Sequence, residues 1–416
     1  MQLEKSLCFI NFDGDLTRIS RNNKELNNEL SKKFKKIYIL NLNNLRLFYK
    51  RNIYSVKKNK GLIPKNFKVI DIKTSEDFIK FAHNKKLFII INGISKSIID
   101  FKIFYLFKKV KAKIIMISIT GQWGTKIFTD VKLKNIFIGY KHVFLKSFYY
   151  LWRILTILNF FPKIHILFES SSENIKIFNN GISRKFESLF PYFKISLYRK
   201  IIHVNSKVFD KFKFDSKNNI ANRNKKYILY IDSPIESEGR IQREGLVSQE
   251  TKKEYYKNLF SALNHLSNKF NQKIIVSLHP SSIQSFGKIK KLFKNNSNDI
   301  SVSKKRTVDL IKDSNIVLFS ISSAILSAVV MKKKIISLKS KHFGEYNLKI
   351  NQKNTQGINC PSIDIDKKIS ISKKELEIEF KKSISSYQKL INERLTNNTN
   401  KPSYIEIVET LKNEMI

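Results

Sequence analysis

Two short stretches of this chain put groups able to hold a phosphate at the ends of apolar runs. Residues 273–282 read Lys-Ile-Ile-Val-Ser-Leu-His-Pro-Ser-Ser, and residues 315–324 read Asn-Ile-Val-Leu-Phe-Ser-Ile-Ser-Ser-Ala. Each has the pattern of a buried parallel strand that breaks into small polar residues. Each therefore delivers a loop to the C-terminal edge of a sheet, where open α/β sheets bind ligands. His279 supplies an imidazole, while Ser322 and Ser323 supply hydroxyls and backbone N–H groups at the opening of a helix. Such a set suits a nucleotide phosphate. Pro280 donates no backbone hydrogen bond and resists helix, so it ends the strand and fixes the loop carrying His279. Taken singly, the first motif also fits an ordinary proline turn and the second a serine N-cap. Their order and separation, with Asp309 to Asn315 between them, say more than either one.

The elements that must position these loops can be read from hydrophobic patterning. In the N-terminal half, apolar runs recur at 7–12, 36–42, 68–72, 87–91, 112–119, 164–168 and 201–204, several with charges before them and a polar or glycine-containing loop after them. That is the pattern of βα units in a doubly wound sheet. The pattern restarts at 227–231, and a helix over 251–270 follows, with Tyr255, Leu259, Ala262, Leu263 and Leu266 at helical spacing. Further runs lie at 274–278, 300–302, 308–311, 316–319 and 334–338, with a short helix near 289–293 and another from Ser322. The predicted fold class is α/β, two Rossmann-like domains facing a cleft. The expected domains are 1–220 on the acceptor side and 225–365 for the nucleotide, joined through the polar, Asn-rich residues 214–226. C-terminal helices over 366–416 are expected to pack across the junction.

With 416 residues, 42% of them hydrophobic, the chain can build sizeable cores. Its 78 Lys and Arg against 34 Asp and Glu leave a net charge of +44, which brings every phosphate-bearing partner into consideration. The lysines are scattered beside frequent Asn, Ile and Phe, as the codon bias of an AT-rich genome produces without selection for a ligand. A surface adapted to anionic membranes is the other reading. Cys8 and Cys360 form no metal-ligand spacing and fit a reducing cytoplasm. No secretory signal pattern is present, so the expected location is cytoplasmic, with peripheral contact at the inner membrane face. The most hydrophobic segment, residues 143–161, carries Lys146 and Arg153 and is a poor spanning helix. It reads as a domain helix with one buried face, or as an interfacial helix anchored by Tyr149, Trp152, Phe160 and Phe161.

On His279-Pro280 and Ser322-Ser323, over roughly residues 225–338, the chain resembles the inverting GT-B glycosyltransferases of bacterial surface polysaccharides. These include sialyltransferases, polysialyltransferases and capsule Kdo transferases, and more distantly the CDP-glycerol polyol-phosphate transferases. The resemblance implies that His279, Pro280, Ser322 and Ser323 hold a cytidine nucleotide and that Glu345, after the next strand, meets the ribose hydroxyls. A solvent-exposed glutamate is the alternative for Glu345. The implied reaction is transfer of a sialic-acid-like sugar or Kdo from a CMP-activated donor to a glycan or glycolipid acceptor. Inverting transfer needs a base at the acceptor hydroxyl, and it should come from the other domain. Asp13 and Asp15, around Gly14 after the first strand, are the leading candidates, because paired carboxylates raise one another's pKa. The order Asp-Gly-Asp departs from the acidic-acidic-Gly motif of the sialyltransferase-like families, and Asp-Gly is also a common turn. Glu169 and Glu173 are second candidates, with helix capping as their alternative. Asp210 could face the cleft, although a surface role suits it better.

Gln122 and Trp123, with Gly93, Gly121 and Gly124 just after expected strands, could meet an acceptor sugar, although a core position suits the tryptophan better. Asp232, Glu236 and Glu238 with Arg240 and Arg243 form a long loop expected to border the cleft. No cofactor is expected beyond the donor as substrate. No metal is expected either, because no Asp-x-Asp pair flanks a donor-site strand. The alternative reading is a GT-B enzyme of another donor class, using a UDP-sugar or a CDP-polyol, or an epimerase of similar shape. A basic nucleic-acid-binding protein ranks below both, since the lysines form no stripe interleaved with aromatics. The absence of Walker A, HExxH, GxSxG and GxGxxG patterns argues against ATPases, zincins, serine hydrolases and ordinary dehydrogenases.

Overall fold

A computed structural model describes residues 3–11, 24–45, 64–91, 101–119, 151, 154–156, 158–172, 174–175, 198–214, 227–233, 235, 247–279, 286–294 and 299–416. The chain forms two compact units. One takes the described residues up to 207 together with 396–416, and the other takes 208–395.

The strands of the first unit are β1 (Glu4–Asn11), β2 (Ile37–Asn41), β3 (Phe67–Asp71), β4 (Lys85–Ile91), β5 (Lys113–Ser118), β6 (Ile164–Glu169) and β7 (Tyr198–His203). They form one parallel sheet in the order β3-β2-β1-β4-β5-β6-β7. Helices cover both faces, which is why the inner strands are nearly continuous apolar runs. Along β1, Leu7 and Phe9 join one core with helices α1 (Lys24–Lys33) and α11 (Ser403–Met415), whose contributions are Leu26, Leu30, Ile407, Val408 and Leu411. Cys8, on the alternate face, joins a second core with α2 (Ser75–Ala82) and α3 (Phe101–Lys109) through Phe78, Phe104 and Phe107. The Asn205 side chain accepts from Thr396 Oγ1 at 2.7 Å and donates to the Lys401 carbonyl at 2.8 Å, tying the chain leading into α11 to the end of β7.

The second unit carries β8 (Ile228–Ile231), β9 (Ile274–Ser277), β10 (Ile300–Ser303), β11 (Ile316–Phe319), β12 (Lys334–Lys339) and β13 (Ser362–Asp364). Its parallel sheet runs β10-β9-β8-β11-β12-β13, so the strand order reverses between β8 and β11. Its helices are α4 (Lys207–Lys213) before the first strand, α5 (Gln249–Phe270), α6 (Phe286–Lys294), α7 (Thr307–Asp313), α8 (Ile325–Val330) and α9 (Glu345–Ile358) between strands, and α10 (Lys373–Arg394) after the last. Glycine is scarce, with 12 in the chain, and helix ends manage without it. Lys111, Asn159, Asn271, Lys332 and Asn359 all take positive φ at the position after a helix. Each is followed by the paired backbone bonds of a Schellman motif, for example Gln272 N–H to the Ser267 carbonyl at 3.1 Å and Asn271 N–H to the Asn268 carbonyl at 3.2 Å. Asn tolerates this conformation, whereas at Lys it costs on the order of 1–2 kcal/mol.

The apolar runs expected to be strands are strands, with informative departures. Residues 308–311 lie within the helix α7. The polar segment 345–358 is a helix whose Asn347, Asn351 and Asn354 are buried, so its inward face carries no apolar stripe to announce it. The chain passes between units at Lys207–Val208, upstream of the expected linker, because Val208, Phe209 and Phe212 pack on the core of the second unit. Residues 215–226 lie outside the described residues. Of the C-terminal helices, α10 packs within the second unit through Leu376, Phe380, Tyr387 and Leu390, and α11 within the first.

The hydrophobic segment 143–161 is described only in part. Leu155 packs on the core with buried Phe161, while Leu151, Ile154, Leu158 and Phe160 are exposed. The expected buried face is present. Of the expected interfacial anchors, Phe161 is withdrawn into the core, Phe160 faces outward, and Tyr149 and Trp152 lie outside the described residues. No described helix is long and apolar enough to cross a membrane.

Candidate functional site

At the C-terminal edge of the second sheet, the structure brings the two nominated loops close in the strand order. His279 follows β9 and Ser322 follows β11, with β8 as the one strand between them. This edge lies at the reversal of strand order, where doubly wound sheets open a crevice. The β8 and β11 loops are joined directly. Ser233 Oγ donates to the Ile321 carbonyl at 3.0 Å and accepts from the Ile321 N–H at 3.3 Å. From behind, Asn351 of α9 donates to the Ser320 carbonyl at 2.7 Å, to Ser337 Oγ at 2.9 Å and to the Leu338 carbonyl at 3.2 Å. A buried amide with several partners holds a loop in one geometry, since leaving any partner unpaired is costly.

The side chains on this edge differ in exposure. Ser323 and His279 are exposed and Ser322 is half-buried. Enough protein surrounds the imidazole that desolvation holds its pKa below the usual range, so it is neutral near pH 7 and keeps one ring N–H as a donor. Ser322 Oγ accepts from the Ala324 N–H at 3.3 Å. Helix α8 has only 6 residues and its cap position, Ala324, offers no side-chain bond, so Ser322 and Ser323 shape the turn before the helix rather than capping it. Asp232, at the tip of β8, is buried, and its charge adds to the desolvation that drives the Tyr230 hydroxyl pKa upward. Glu345 opens α9 after Gly344, whose φ of 82° is the left-handed conformation glycine adopts freely. Its exposed carboxylate pairs with Lys349 at 2.6 Å.

The first sheet offers a second group of chemical residues. Ser118, Glu169 and His203 occupy one register row across β5, β6 and β7, at the C-terminal ends of the strands. Glu169 is 2% exposed. Its Oε1 accepts from the Ser170 N–H at 2.9 Å and the Ser171 N–H at 3.0 Å, while Oε2 is buried without a hydrogen-bond partner of good geometry. Burial raises the Glu169 pKa, and hydrogen bonding from Ser118, Asn174 and the two backbone N–H groups only partly offsets it. The His203 imidazole shifts down, again through desolvation, and its Nε2 lies 3.2 Å from the Ser170 carbonyl. An acid moved up and a base moved down, side by side, are the pairing that proton-transfer sites use.

Asp210, expected at the surface, is 5% exposed within α4, whose apolar side chains draw it into the second unit. Asp13, Asp15, Glu173, Pro280, Gln122, Trp123, Gly93, Gly121, Gly124, Glu236, Glu238, Arg240 and Arg243 lie outside the described residues. Ser118, His203 and Asn351 were not nominated by motif reading. Ser118 and His203 each lie one residue before the end of an apolar run, and that position was their only signal.

No protein-family model matches the chain, and no curated protein does. Among solved structures, a putative UDP-N-acetylglucosamine 2-epimerase from Listeria monocytogenes is similar over 100% of this chain and 97% of that one, with 10% identity and a TM-score of 0.50. An S. aureus MnaA–UDP co-structure is similar over 99% and 97%, with 11% identity and a TM-score of 0.48. A variant of the wall teichoic acid polymerase TagF is similar over 99% and 89%, with 12% identity and a TM-score of 0.48. At such identities a likeness speaks of fold alone. The Listeria likeness agrees with the two parallel sheets in making the chain a two-domain, Rossmann-like α/β protein.

Proposed function

We propose that the chain is a GT-B-type, nucleotide-sugar-dependent glycosyltransferase whose donor is a UDP-sugar. The observation that carries this reading is that the His279 and Ser322 loops leave the same edge of the second sheet beside its strand reversal, with the Ser322 loop held by Ser233 and Asn351. In this reading His279 donates its ring N–H to a phosphate oxygen, and Ser322 and Ser323 add hydroxyl donors. Glu345 would meet the ribose. Glu169 is the base for the acceptor hydroxyl, since desolvation raises its basicity towards neutrality. The uridine class is the one named for the Listeria relative. The CMP-activated donor stays as the second reading because His279-Pro280 and Ser322-Ser323 are the motifs that suggested it. The acceptor in either case is a glycan or glycolipid, and transfer is proposed to need no metal.

A thermal-shift panel of UDP, CDP and CMP tests this, because a ligand stabilises by RT ln(1 + [L]/Kd). UDP should raise the transition most, and His279→Ala should weaken UDP by about tenfold, the effect of one hydrogen bond to a charged group. Stabilisation by CMP alone would move the assignment to the second reading. No stabilisation by any of the three would end it.

A further inference from the structure

The segment before β6 has apolar side chains on its solvent side as well as its core side. Residues 151 and 154–156 are helical, and Leu151, Ile154 and Leu158 follow at i, i+3 and i+7, which places them on one stripe. Leu158 is 59% exposed and Phe160 58%, beside them past the Schellman turn at Asn159. The core side of the segment is already satisfied by Leu155 and Phe161, and no described residue covers the outer stripe.

The two chain segments that form the patch are rich in lysine. Lys108 of α3 donates to Asn159 Oδ1 at 2.7 Å, which brings the end of α3 against the stripe. Lys102, Lys109 and Lys111 lie on the same helix and its closing turn, and Lys163 follows Phe161. Residues 101–119 and 151–168 contain no Asp or Glu. The patch starts at the edge where β5 and β6 begin, at the opposite end of β6 from Glu169.

We infer that this apolar stripe, with Lys108 bonded at its end and further lysines along the same two segments, docks on an anionic lipid surface, with the leucines and Phe160 entering the acyl boundary and the lysines meeting headgroups. Apolar insertion combined with basic attraction is how interfacial helices bind bilayers. A second copy fits poorly, because a twofold contact would set these lysines against their own copies. Nucleic acid would use the lysines but leave the apolar stripe unsatisfied.

The test is flotation of the full chain with vesicles of phosphatidylcholine alone or mixed with phosphatidylglycerol. Wild type should float with the mixed vesicles and be released by salt. The double variant Leu158→Ser/Phe160→Ser should lose at least about tenfold in partitioning, from the buried apolar area given up. The inference is overturned if wild type ignores anionic vesicles or if the double variant floats equally well. A wild-type dimer that the variant converts to monomer would overturn it too.

Discussion

The C-terminal edges of the two sheets face different tasks with the same architecture. In the first unit the edge ends in Ser118, Glu169 and His203, where burial moves the acid up and the imidazole down. In the second it ends in Ser233, His279, Ser322 and Ser323, with loops joined by hydrogen bonds and side chains partly or fully open to solvent. Desolvation tunes proton affinity, whereas exposed donors on a braced loop select a polar ligand. The contrast teaches that one architecture can bury its strand-end titratable groups at one edge and leave them open at the other, which is what the proposed division between proton transfer and nucleotide holding rests on.

The strongest way to break that comparison is Glu169→Gln. The substitution keeps the shape and removes the proposed base, so turnover with any accepted donor should fall by about 10²–10⁴ while nucleotide-induced stabilisation persists. Unchanged turnover would make Glu169 a structural carboxyl. Asn351→Leu probes the other edge. It removes three bonds behind the Ser322 loop and should lower urea stability by about 3 kcal/mol and shrink the thermal shift given by UDP. If stability falls and the UDP shift stays whole, the bracing does not reach the site.

The smallest effect is a pH slope. Folding raises the Glu169 pKa, so the native state binds that proton more tightly than the unfolded chain does. Stability from this group is full below the unfolded carboxylate pKa and is lost as pH rises through the folded one. Gln is neutral throughout, so the denaturation midpoint of Glu169→Gln should gain on wild type as pH rises from the ordinary carboxylate range. A constant difference would show that Glu169 titrates normally.

Much of this was legible in the residues. The strands announced themselves because parallel strands covered on both faces are near-continuous apolar runs, and the His279 and Ser322 loops because each follows such a run. Helix α9 did not, since its inward face carries buried Asn347, Asn351 and Asn354, of which Asn347 and Asn351 are held by hydrogen bonds rather than by apolar contact. The burial of Asp210 was equally hidden, because a short helix next to a polar segment gives no sign of which core it will join.

What the sequence determined by itself is the pair of βα halves and the position of polar loops at strand ends, because hydrophobic periodicity is a local property. Only the tertiary structure decided that Ser118, Glu169 and His203 share a row and that Asn351 braces the Ser322 loop. Strand order and burial depend on residues far apart in the chain. A carboxyl's proton affinity follows from what surrounds it, which no spacing of neighbours along the chain records.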